Sequence, residues 1–229
     1  MKTLLEFSHV SFAYKSEDFV LKDINFSIRE NEKVALLGLN GAGKSTLILH
    51  TNGLLLPVKG IVTVDGLSTS SGDIKEIRKK VGLVFQNPDD QLFMTSVWED
   101  VAFGPRNMGL DEKEVKDRVE QALSMTATRH LAEKFPMDLS GGQKKAVSIA
   151  TVLSMSPKIL VMDEPTSGLD YKATANLVSL LNSLTHSMLI SSHDIDFVRA
   201  VCPRSIVVEN GEIIYDGDTR YLEYPPLKS

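Results

Sequence analysis

The sequence predicts an α/β fold, in which a core built around a parallel sheet carries an inserted, mainly helical lobe. Two mainly apolar runs, Lys33–Leu37 and Ile159–Met162, are typical of strands that a parallel sheet buries on both faces. A glycine-rich loop follows the first run and leads into a helical segment, which is the order of an α/β unit. From about residue 87 to residue 157 helical patterns dominate, and this region is the predicted lobe.

The amino-terminal elements are predicted strands. Leu4–Phe12 and Val20–Ile28 alternate apolar with polar residues, as half-buried strands do. A turn at Asn31 and Glu32 then leads into the apolar strand Lys33–Leu37. The chain is therefore expected to begin with sheet structure before the glycine-rich loop.

The loop opens a helix, which is predicted over Leu47–Thr51. Gly60–Val64 is a predicted strand that ends at an Asp-Gly turn, because these residues favour turn geometry. Val81–Phe85 is a further short apolar strand. These elements continue the α/β pattern up to the helical lobe.

The lobe is expected to contain three helices. The first two are predicted over Val97–Gly104 and Asp111–Thr126, with Pro105 breaking the chain between them because proline disrupts helical hydrogen bonding. Ser140 is the expected N-cap of the third helix, which continues to about Met155.

The carboxyl-terminal part returns to alternating elements. Lys172–Leu184 is a predicted helix and Met188–Ser191 a buried strand. Ile206–Tyr215 is a predicted hairpin, because the Asn-Gly pair at its centre suits a type I′ turn. Residues 221–229 contain two prolines and are predicted to be a loose tail.

Composition narrows the class of protein. The chain has 229 residues, enough for one good-sized α/β domain, and its net charge of −5 argues against a nucleic-acid partner. A single cysteine excludes a disulfide within the chain. No apolar run approaches the roughly 20 residues needed to span a bilayer, and an acidic residue at position 6 argues against a secretory signal. A cytoplasmic protein is expected, which would reach a membrane only through a partner.

The glycine-rich loop has the spacing of a phosphate-binding loop. Its glycines allow several N–H groups to point inward, and these amides with the following helix terminus would hold the β- and γ-phosphates of a nucleotide. Lys44 would add a cation, and the Ser45 hydroxyl would bind Mg²⁺. A chance glycine-rich turn is the alternative, which the flanking strand and helix disfavour. The predicted nucleotide contacts in this loop are Gly38, Asn40, Gly41, Ala42, Gly43, Lys44, Ser45 and Thr46.

Two carboxylates follow a predicted central strand. Asp163 and Glu164 come directly after Ile159–Met162, at the strand end where open α/β sheets bind ligands. Asp163 is predicted to reach Mg²⁺ through water, and Glu164 to polarise the attacking water as a base. An acidic pair in this position is by itself more often a turn or a helix cap, but the phosphate-binding loop favours the catalytic interpretation.

The Leu139–Gln143 stretch suggests a second anion site. Ser140, Gly141 and Gly142 place a hydroxyl and bare amides at a helix N-terminus. One γ-phosphate does not need two such sites from one chain, so each stretch is predicted to serve the nucleotide of a partner copy. The alternative is an ordinary N-cap.

In this order, the loop, the Leu-Ser-Gly-Gly-Gln stretch and Met-Asp-Glu-Pro resemble the ATP-binding cassette (ABC) ATPases. The resemblance implies a P-loop NTPase core, a RecA-like parallel sheet with an antiparallel β subdomain, plus an inserted α-helical subdomain. Residues 1–86 and 158–220 would form the core, 87–157 the helical subdomain and 221–229 the tail of a single domain. ATP and Mg²⁺ are the implied cofactors, and a second ATPase subunit, forming a homodimer, is an implied partner.

The same resemblance implies roles for residues outside the three motifs. Tyr14 would stack on adenine, and Gln86 would sense the γ-phosphate, bind Mg²⁺ and contact a membrane partner. His193 would orient Glu164, and Asp170 would lie at the dimer interface. The partner's nucleotide would be contacted in trans by Ser140, Gly141, Gly142, Gln143 and Asp170. Taken singly, the tyrosine could be part of an apolar patch, the glutamine a turn residue and the histidine a satisfied strand-end residue.

Residues 84–93 and 97–105 narrow the resemblance to the ATPases of energy-coupling factor (ECF) importers of cobalt, nickel or vitamins such as biotin. This implies a peripheral protein on the cytoplasmic face of the membrane, with a transmembrane coupling protein and a substrate-binding membrane protein as partners. Asp89 and Asp90 would meet basic residues of the membrane partner, or simply cap a helix. The alternatives are the ATPase of a conventional ABC transporter and a non-transport cassette protein acting on DNA or ribosomes.

Overall fold

The computed structural model describes residues 2–15 and 18–223. Within these residues the strands are β1 Thr3–Ala13, β2 Phe19–Arg29, β3 Lys33–Leu37, β4 Lys59–Val64, β5 Leu67–Ser68, β6 Val81–Val84, β7 Ile159–Met162, β8 Ser187–Ser191, β9 Arg204–Glu209 and β10 Glu212–Asp218. The α-helices are α1 Lys44–His50, α2 Ile74–Lys80, α3 Val97–Asn107, α4 Glu112–Met125, α5 Gly141–Leu153, α6 Tyr171–Ser183 and α7 Ile195–Val201. In this described part, no helix is both long and apolar enough to cross a membrane.

A six-stranded sheet forms the centre of the fold. Its strand order is β10-β9-β3-β8-β7-β6, in which β3 is parallel to β8 and β9, and β7 to β8 and β6, while only β10 runs antiparallel. Every residue of β7 and β8 is buried, which explains their nearly continuous apolar sequences. The carboxyl ends of β3, β6, β7 and β8 therefore share one edge of the sheet, and this edge carries the site described below.

A second, antiparallel sheet of order β2-β1-β4-β5 packs against the first. Its inner face includes the stacked rings of Phe7 and Phe26, whose centroids lie 4.6 Å apart. The predicted α/β class, with an antiparallel β subdomain and an inserted helical segment between β6 and β7, is confirmed.

Asp65, in the turn between β4 and β5, joins the antiparallel sheet to the central one. Its nearly buried carboxylate forms ion pairs with Lys158, Lys2 and Lys80. Hydrogen bonds from these three ammonium groups hold the pKa of the Asp65 carboxyl well below its usual value. Lys2 lies before β1, Lys80 at the end of α2 and Lys158 before β7. One carboxylate therefore connects three parts of the chain.

The predicted break at Pro105 is wrong, since α3 continues through this proline to Asn107. Proline has no N–H to donate to the carbonyl of Val101, four residues earlier. The Ser154 hydroxyl lies 2.8 Å from that carbonyl and 2.9 Å from the Thr151 carbonyl, and its one hydrogen is shared between these two acceptors. A hydrogen bond from the end of α5 thus replaces the missing helical one.

Other boundaries differ from the prediction in smaller ways. Two seven-residue helices, α2 and α7, were not predicted, and α1 begins at Lys44 rather than Leu47. The hairpin of β9 and β10 is confirmed: Asn210 and Gly211 both have positive φ, 50° and 82°, as a type I′ turn requires. Of the predicted tail, residues 224–229 lie outside the described part of the chain.

Candidate functional site

The glycine-rich loop connects β3 to α1 and requires glycine at its two ends. A Cβ at Gly38 would lie 2.4 Å from the carbonyl oxygen of Val208. At Gly43, φ is 105° and a Cβ would lie 2.9 Å from Leu21 Cδ2. The packing of β9 and β2 against the loop therefore excludes side chains at these positions, and leaves a cradle of backbone amides.

This loop borders an open cleft of about 390 Å³. Lys44 is only 7% exposed, and its Nζ donates to the Gly38 carbonyl at 2.8 Å, so the ammonium is held across the loop. The Tyr14 hydroxyl lies 3.1 Å from Thr46 Oγ1, while the residue as a whole is 61% exposed. The cleft is lined by Val20, Asn40, Gly41, Gly43, Lys44, Ser45, Thr46, Gln86, Glu164 and His193.

Neighbouring strands bring the acidic pair into the same place. Asp163 and Glu164 follow β7, and His193 follows the adjacent parallel strand β8. Glu164 Oε2 lies 2.8 Å from His193 Nδ1, and Glu164 Oε1 lies 3.7 Å from Lys44 Nζ. Both oxygens of this buried carboxylate thus have a defined neighbour, which orients the group toward the cleft.

Ser191, at the end of β8, supports the acidic pair, and sequence reasoning missed it. Glu164 has a left-handed backbone, with φ of 44°, which costs a non-glycine residue about 1 kcal/mol or more. Its N–H donates to Ser191 Oγ at 2.9 Å and to the Ser191 carbonyl at 3.1 Å. The same hydroxyl donates to Asp163 Oδ1. The only signal in the sequence was a serine at the end of a predicted buried strand, and the fold places that strand beside β7.

The predicted magnesium ligands fit a divalent cation bound together with a nucleotide. The described residues contain no group of three or more His, Cys, Asp or Glu side chains that could hold a metal by themselves. Ser45 has an exposed hydroxyl in the cleft, Gln86 adds an amide, and Asp163 a carboxylate at the same sheet edge. Mg²⁺ commonly takes one or two carboxylates and completes its shell with phosphate oxygens and water.

The predicted trans residues lie apart from this cleft. Ser140 caps α5 in a capping box: its Oγ accepts from Gln143 N–H at 3.4 Å, and Gln143 Oε1 accepts from Ser140 N–H at 3.0 Å. Asp170 likewise caps α6, accepting from Ala173 N–H at 2.7 Å. With Gly142, these residues line a separate cavity of about 670 Å³ between α5 and α6. Gly141 lines a third cavity.

One chain therefore brings together the loop, Gln86, Glu164 and His193, but leaves the Ser140–Gln143 stretch and Asp170 outside the cleft. This separation is what a site shared between two copies requires. The structure also makes Ser140 an N-cap, so the alternative interpretation describes its local contacts correctly.

Asp89, which was predicted to contact a membrane partner, forms an ion pair within its own chain while its side chain stays half exposed. Asp89 Oδ1 lies 2.7 Å from Nζ of Lys144, so a basic residue of the same chain already pairs with this carboxylate. Its N–H donates to the side chain of Asn87, which caps a short 3₁₀ helix. The carboxylate tethers this segment to α5.

Lys145 is the second residue that sequence reasoning missed. It is 1% exposed, and its Nζ donates to the carbonyls of Gln86 at 2.8 Å and Phe85 at 3.2 Å. Burial lowers the pKa of this ammonium group to about 8, although the charge of Asp163 opposes the shift. A lysine two residues after the Leu-Ser-Gly-Gly-Gln stretch was visible in the sequence, but nothing there indicated that it is buried.

Comparisons with known proteins agree with these observations. Residues 21–167 match the family described as ABC transporter. An energy-coupling factor transporter ATP-binding protein of Methanosphaera stadtmanae is 48% identical over 227 residues, which cover 97% of this chain and 82% of that protein.

Two solved structures are also similar. The structure of cbiO1 of Clostridium perfringens, described as part of the ABC transporter complex cbiONQ, superposes with a TM-score of 0.88 at 40% identity, covering 96% of this chain and 90% of that one. A dimeric ATP-binding cassette in a post-hydrolysis state, bound to ADP and Pi, superposes with a TM-score of 0.83 at 29% identity, covering 96% of this chain and all of that one.

Proposed function

This chain belongs to the ABC transporter family, and we propose that it is the ATP-hydrolysing subunit of an energy-coupling factor importer. It binds ATP and hydrolyses it with Mg²⁺, as ATPases of this family do. The observation that carries the proposal is the convergence of Lys44, Glu164 and His193 in one cleft behind a glycine loop.

The side chains of this cleft suit phosphoryl transfer to water. Lys44 and the loop amides would hold the β- and γ-phosphates, and Glu164 would accept a hydrogen bond from the attacking water as a base. His193 would keep the carboxylate turned toward that water through its 2.8 Å contact. Mg²⁺, held by Ser45, Gln86 and, through water, Asp163, would neutralise developing charge on the phosphate oxygens.

A complete site is proposed to need two chains. Ser140 and its neighbours lie outside the cleft, so their amides and hydroxyl would bind the γ-phosphate held by the loop of a partner copy. The dimeric state of the ADP-bound relative supports this arrangement. Because the loop, the acidic pair and the Ser140–Gln143 stretch are all present in this sequence, a homodimer would carry two equivalent sites.

The names of the relatives support the proposal of membrane partners. The Methanosphaera protein is named for an energy-coupling factor transporter, and the Clostridium protein is described as part of an ABC transporter complex. We therefore propose a transmembrane coupling protein and a small substrate-binding membrane protein as partners, with this chain peripheral on the cytoplasmic face. Cobalt or nickel is the proposed cargo, with biotin next. No nucleic-acid partner is proposed.

Co-purification tests this assignment. The tagged chain, expressed at its native level and extracted in detergent, should retain one coupling protein and one small membrane protein. Deletion of its gene should reduce uptake of radioactive cobalt or nickel, and a plasmid copy should restore it. Recovery of two paired permease subunits would instead make the chain the ATPase of a conventional ABC transporter. If the deletion and the plasmid copy change the uptake of biotin but not of cobalt or nickel, the cargo is the vitamin and not a metal ion.

A further inference from the structure

Residues 85–91, called here the Gln86 segment, are attached to helix α5 by three side chains. The first two are Lys145, which donates to the Gln86 and Phe85 carbonyls, and Lys144, which pairs with Asp89. The third is Gln91: its Nε2 donates to the Ser148 carbonyl at 2.8 Å and to Thr151 Oγ1 at 2.7 Å, while its Oε1 accepts from Phe85 N–H at 3.1 Å. The segment is thus fastened to α5 at both its ends.

Lys145 is the most unusual of the three side chains. It is fully enclosed, and in the described residues its ammonium forms no ion pair with a carboxylate; its acceptors are two backbone carbonyls. Enclosing a cation in this way is costly, and an apolar side chain of similar length would pack without that cost. Packing alone therefore does not account for a lysine here.

The position of Lys145 on α5 connects two parts of the proposed site. The helix begins after Ser140, and five residues of helical rise, about 1.5 Å each, separate that residue from Lys145. Gln86 lines the nucleotide cleft, and together with Gly141 and Lys145 it also lines the small cavity beside the start of α5. One helix thus presents Ser140 at its amino end and holds the Gln86 backbone one turn later.

We propose that Lys145 is a positioning residue for ATP hydrolysis: its buried ammonium sets the backbone of Gln86 and makes it move with Ser140. The inference rests on the proposed function, in which Gln86 acts on the nucleotide of its own chain and Ser140 on that of the partner. A shift of α5 on contact with the partner's nucleotide is then passed through Lys145 to the Gln86 of the same chain. Lys145 does not touch the nucleotide itself.

The test compares three variants of the full-length chain. Lys145→Met removes the donors and keeps the length of the side chain, Lys145→Arg keeps a cation with several donors, and Lys116→Met makes the same change at an exposed position of α4 as a matched control. For each, kcat, KM and the Hill coefficient for ATP are measured, with the affinity for a fluorescent ATP analogue and the melting temperature. Amide hydrogen exchange of peptides covering residues 85–91 and 38–46 reports on the two loops separately.

The proposal predicts a split between chemistry and binding. Lys145→Met should lower kcat about tenfold or more, because hydrogen bonds from a charged group are lost, while nucleotide affinity stays within about twofold. Cooperativity toward ATP should fall, and residues 85–91 should exchange faster while residues 38–46 do not change. Lys145→Arg should recover most of kcat, and Lys116→Met should stay within about threefold of the unaltered chain.

Two results would overturn the inference. The first is a Lys145→Met chain that turns over ATP as Lys116→Met does. The second is an equal loss of affinity and kcat that Lys145→Arg does not restore, which indicates a purely structural role. If Lys145→Met does not fold, Lys145→Gln takes its place, and unchanged kcat in that variant has the same meaning. Failure of the proposed function is recognised separately, because the unaltered chain would then not hydrolyse ATP.

Discussion

Nδ1 of His193 lies 2.8 Å from Oε2 of Glu164, and the two residues follow adjacent parallel strands of the central sheet. The histidine is two-thirds exposed, whereas the carboxylate is nearly buried and has a left-handed backbone. This contact places an exposed ring beside an enclosed carboxylate at the mouth of the cleft, and the backbone that carries this carboxylate is strained. Such strain is commonly found where geometry serves function.

Replacement of Glu164 by glutamine should separate hydrolysis from binding. The amide keeps the shape of the side chain but cannot accept a proton, so turnover should fall about a hundredfold or more. Affinity for ATP should change by less than about threefold, since the loop and Lys44 supply the phosphate contacts. Phosphate release and equilibrium nucleotide binding measure the two effects, with exposed Glu209→Gln as the control. Hydrolysis at the normal rate in Glu164→Gln would remove this residue from its proposed role.

Replacement of Asp65 by asparagine should destabilise the junction of the two sheets. Three lysines lose their common carboxylate, and the free energy of unfolding at pH 7 should drop by about 1–2 kcal/mol. Urea denaturation of this variant, compared with exposed Asp117→Asn, measures the loss. An unchanged midpoint would show that the three ion pairs contribute nothing.

The effect of Asp65 should also depend on pH. Its pKa is lower in the folded chain than in the unfolded one, so the carboxylate stabilises the fold above the unfolded pKa of about 4. This contribution is lost as the pH falls through the folded pKa. The difference in stability between the unaltered chain and Asp65→Asn should therefore be full at pH 6 and shrink below about pH 4. A difference that grew on acidification would contradict this sign.

Ser154 and Pro105 should show coupled effects on stability. Loss of the Ser154 hydroxyl leaves the buried Val101 carbonyl without the 2.8 Å bond, at a cost of about 1–2 kcal/mol for Ser154→Ala. When Pro105→Ala supplies a backbone N–H to that carbonyl, the same serine substitution should cost less. A double-mutant cycle by urea denaturation measures the coupling. Additive effects would mean that the hydroxyl does not replace the missing helical bond.

The core of the site could be predicted from the sequence because its motifs are local. The loop needs glycine where other strands approach it, and the acidic pair directly follows an apolar strand, so both leave a pattern within a few residues. Which strands are neighbours is not local, and the sequence therefore did not reveal the support that Ser191 gives to Glu164.

The errors have equally physical causes. Proline usually ends a helix, and the hydroxyl of the distant Ser154 reaches the Val101 carbonyl that Pro105 leaves without a helical donor. Lysine is usually solvated, so Lys145 gave no sign that it is buried against the Gln86 carbonyl. The sequence likewise did not show that the fold brings Lys144 within 2.7 Å of Asp89, whose predicted contact with a membrane partner stays a prediction. In each case the decisive contact joins residues far apart in the chain.

The shared site is tested most directly by mixing two inactive variants of the full-length chain. Ser140→Arg blocks the contribution to the partner's nucleotide, and Lys44→Ala removes the cation from a chain's own loop. Each variant alone should hydrolyse ATP at least about a hundredfold more slowly than the unaltered chain.

In a mixed dimer, the loop of the Ser140→Arg chain faces the unaltered Ser140 of the Lys44→Ala chain, so one complete site is rebuilt. With random pairing, half of the dimers are mixed and each has one of its two sites intact. If the two sites work independently, phosphate release should therefore return to about a quarter of the normal rate. If the two sites are coupled, the rate of the mixture should still be a clear multiple of the rate of either variant alone. If tagged pull-down shows that mixed dimers form and the mixture remains as inactive as its components, each chain hydrolyses ATP by itself and the shared site is wrong.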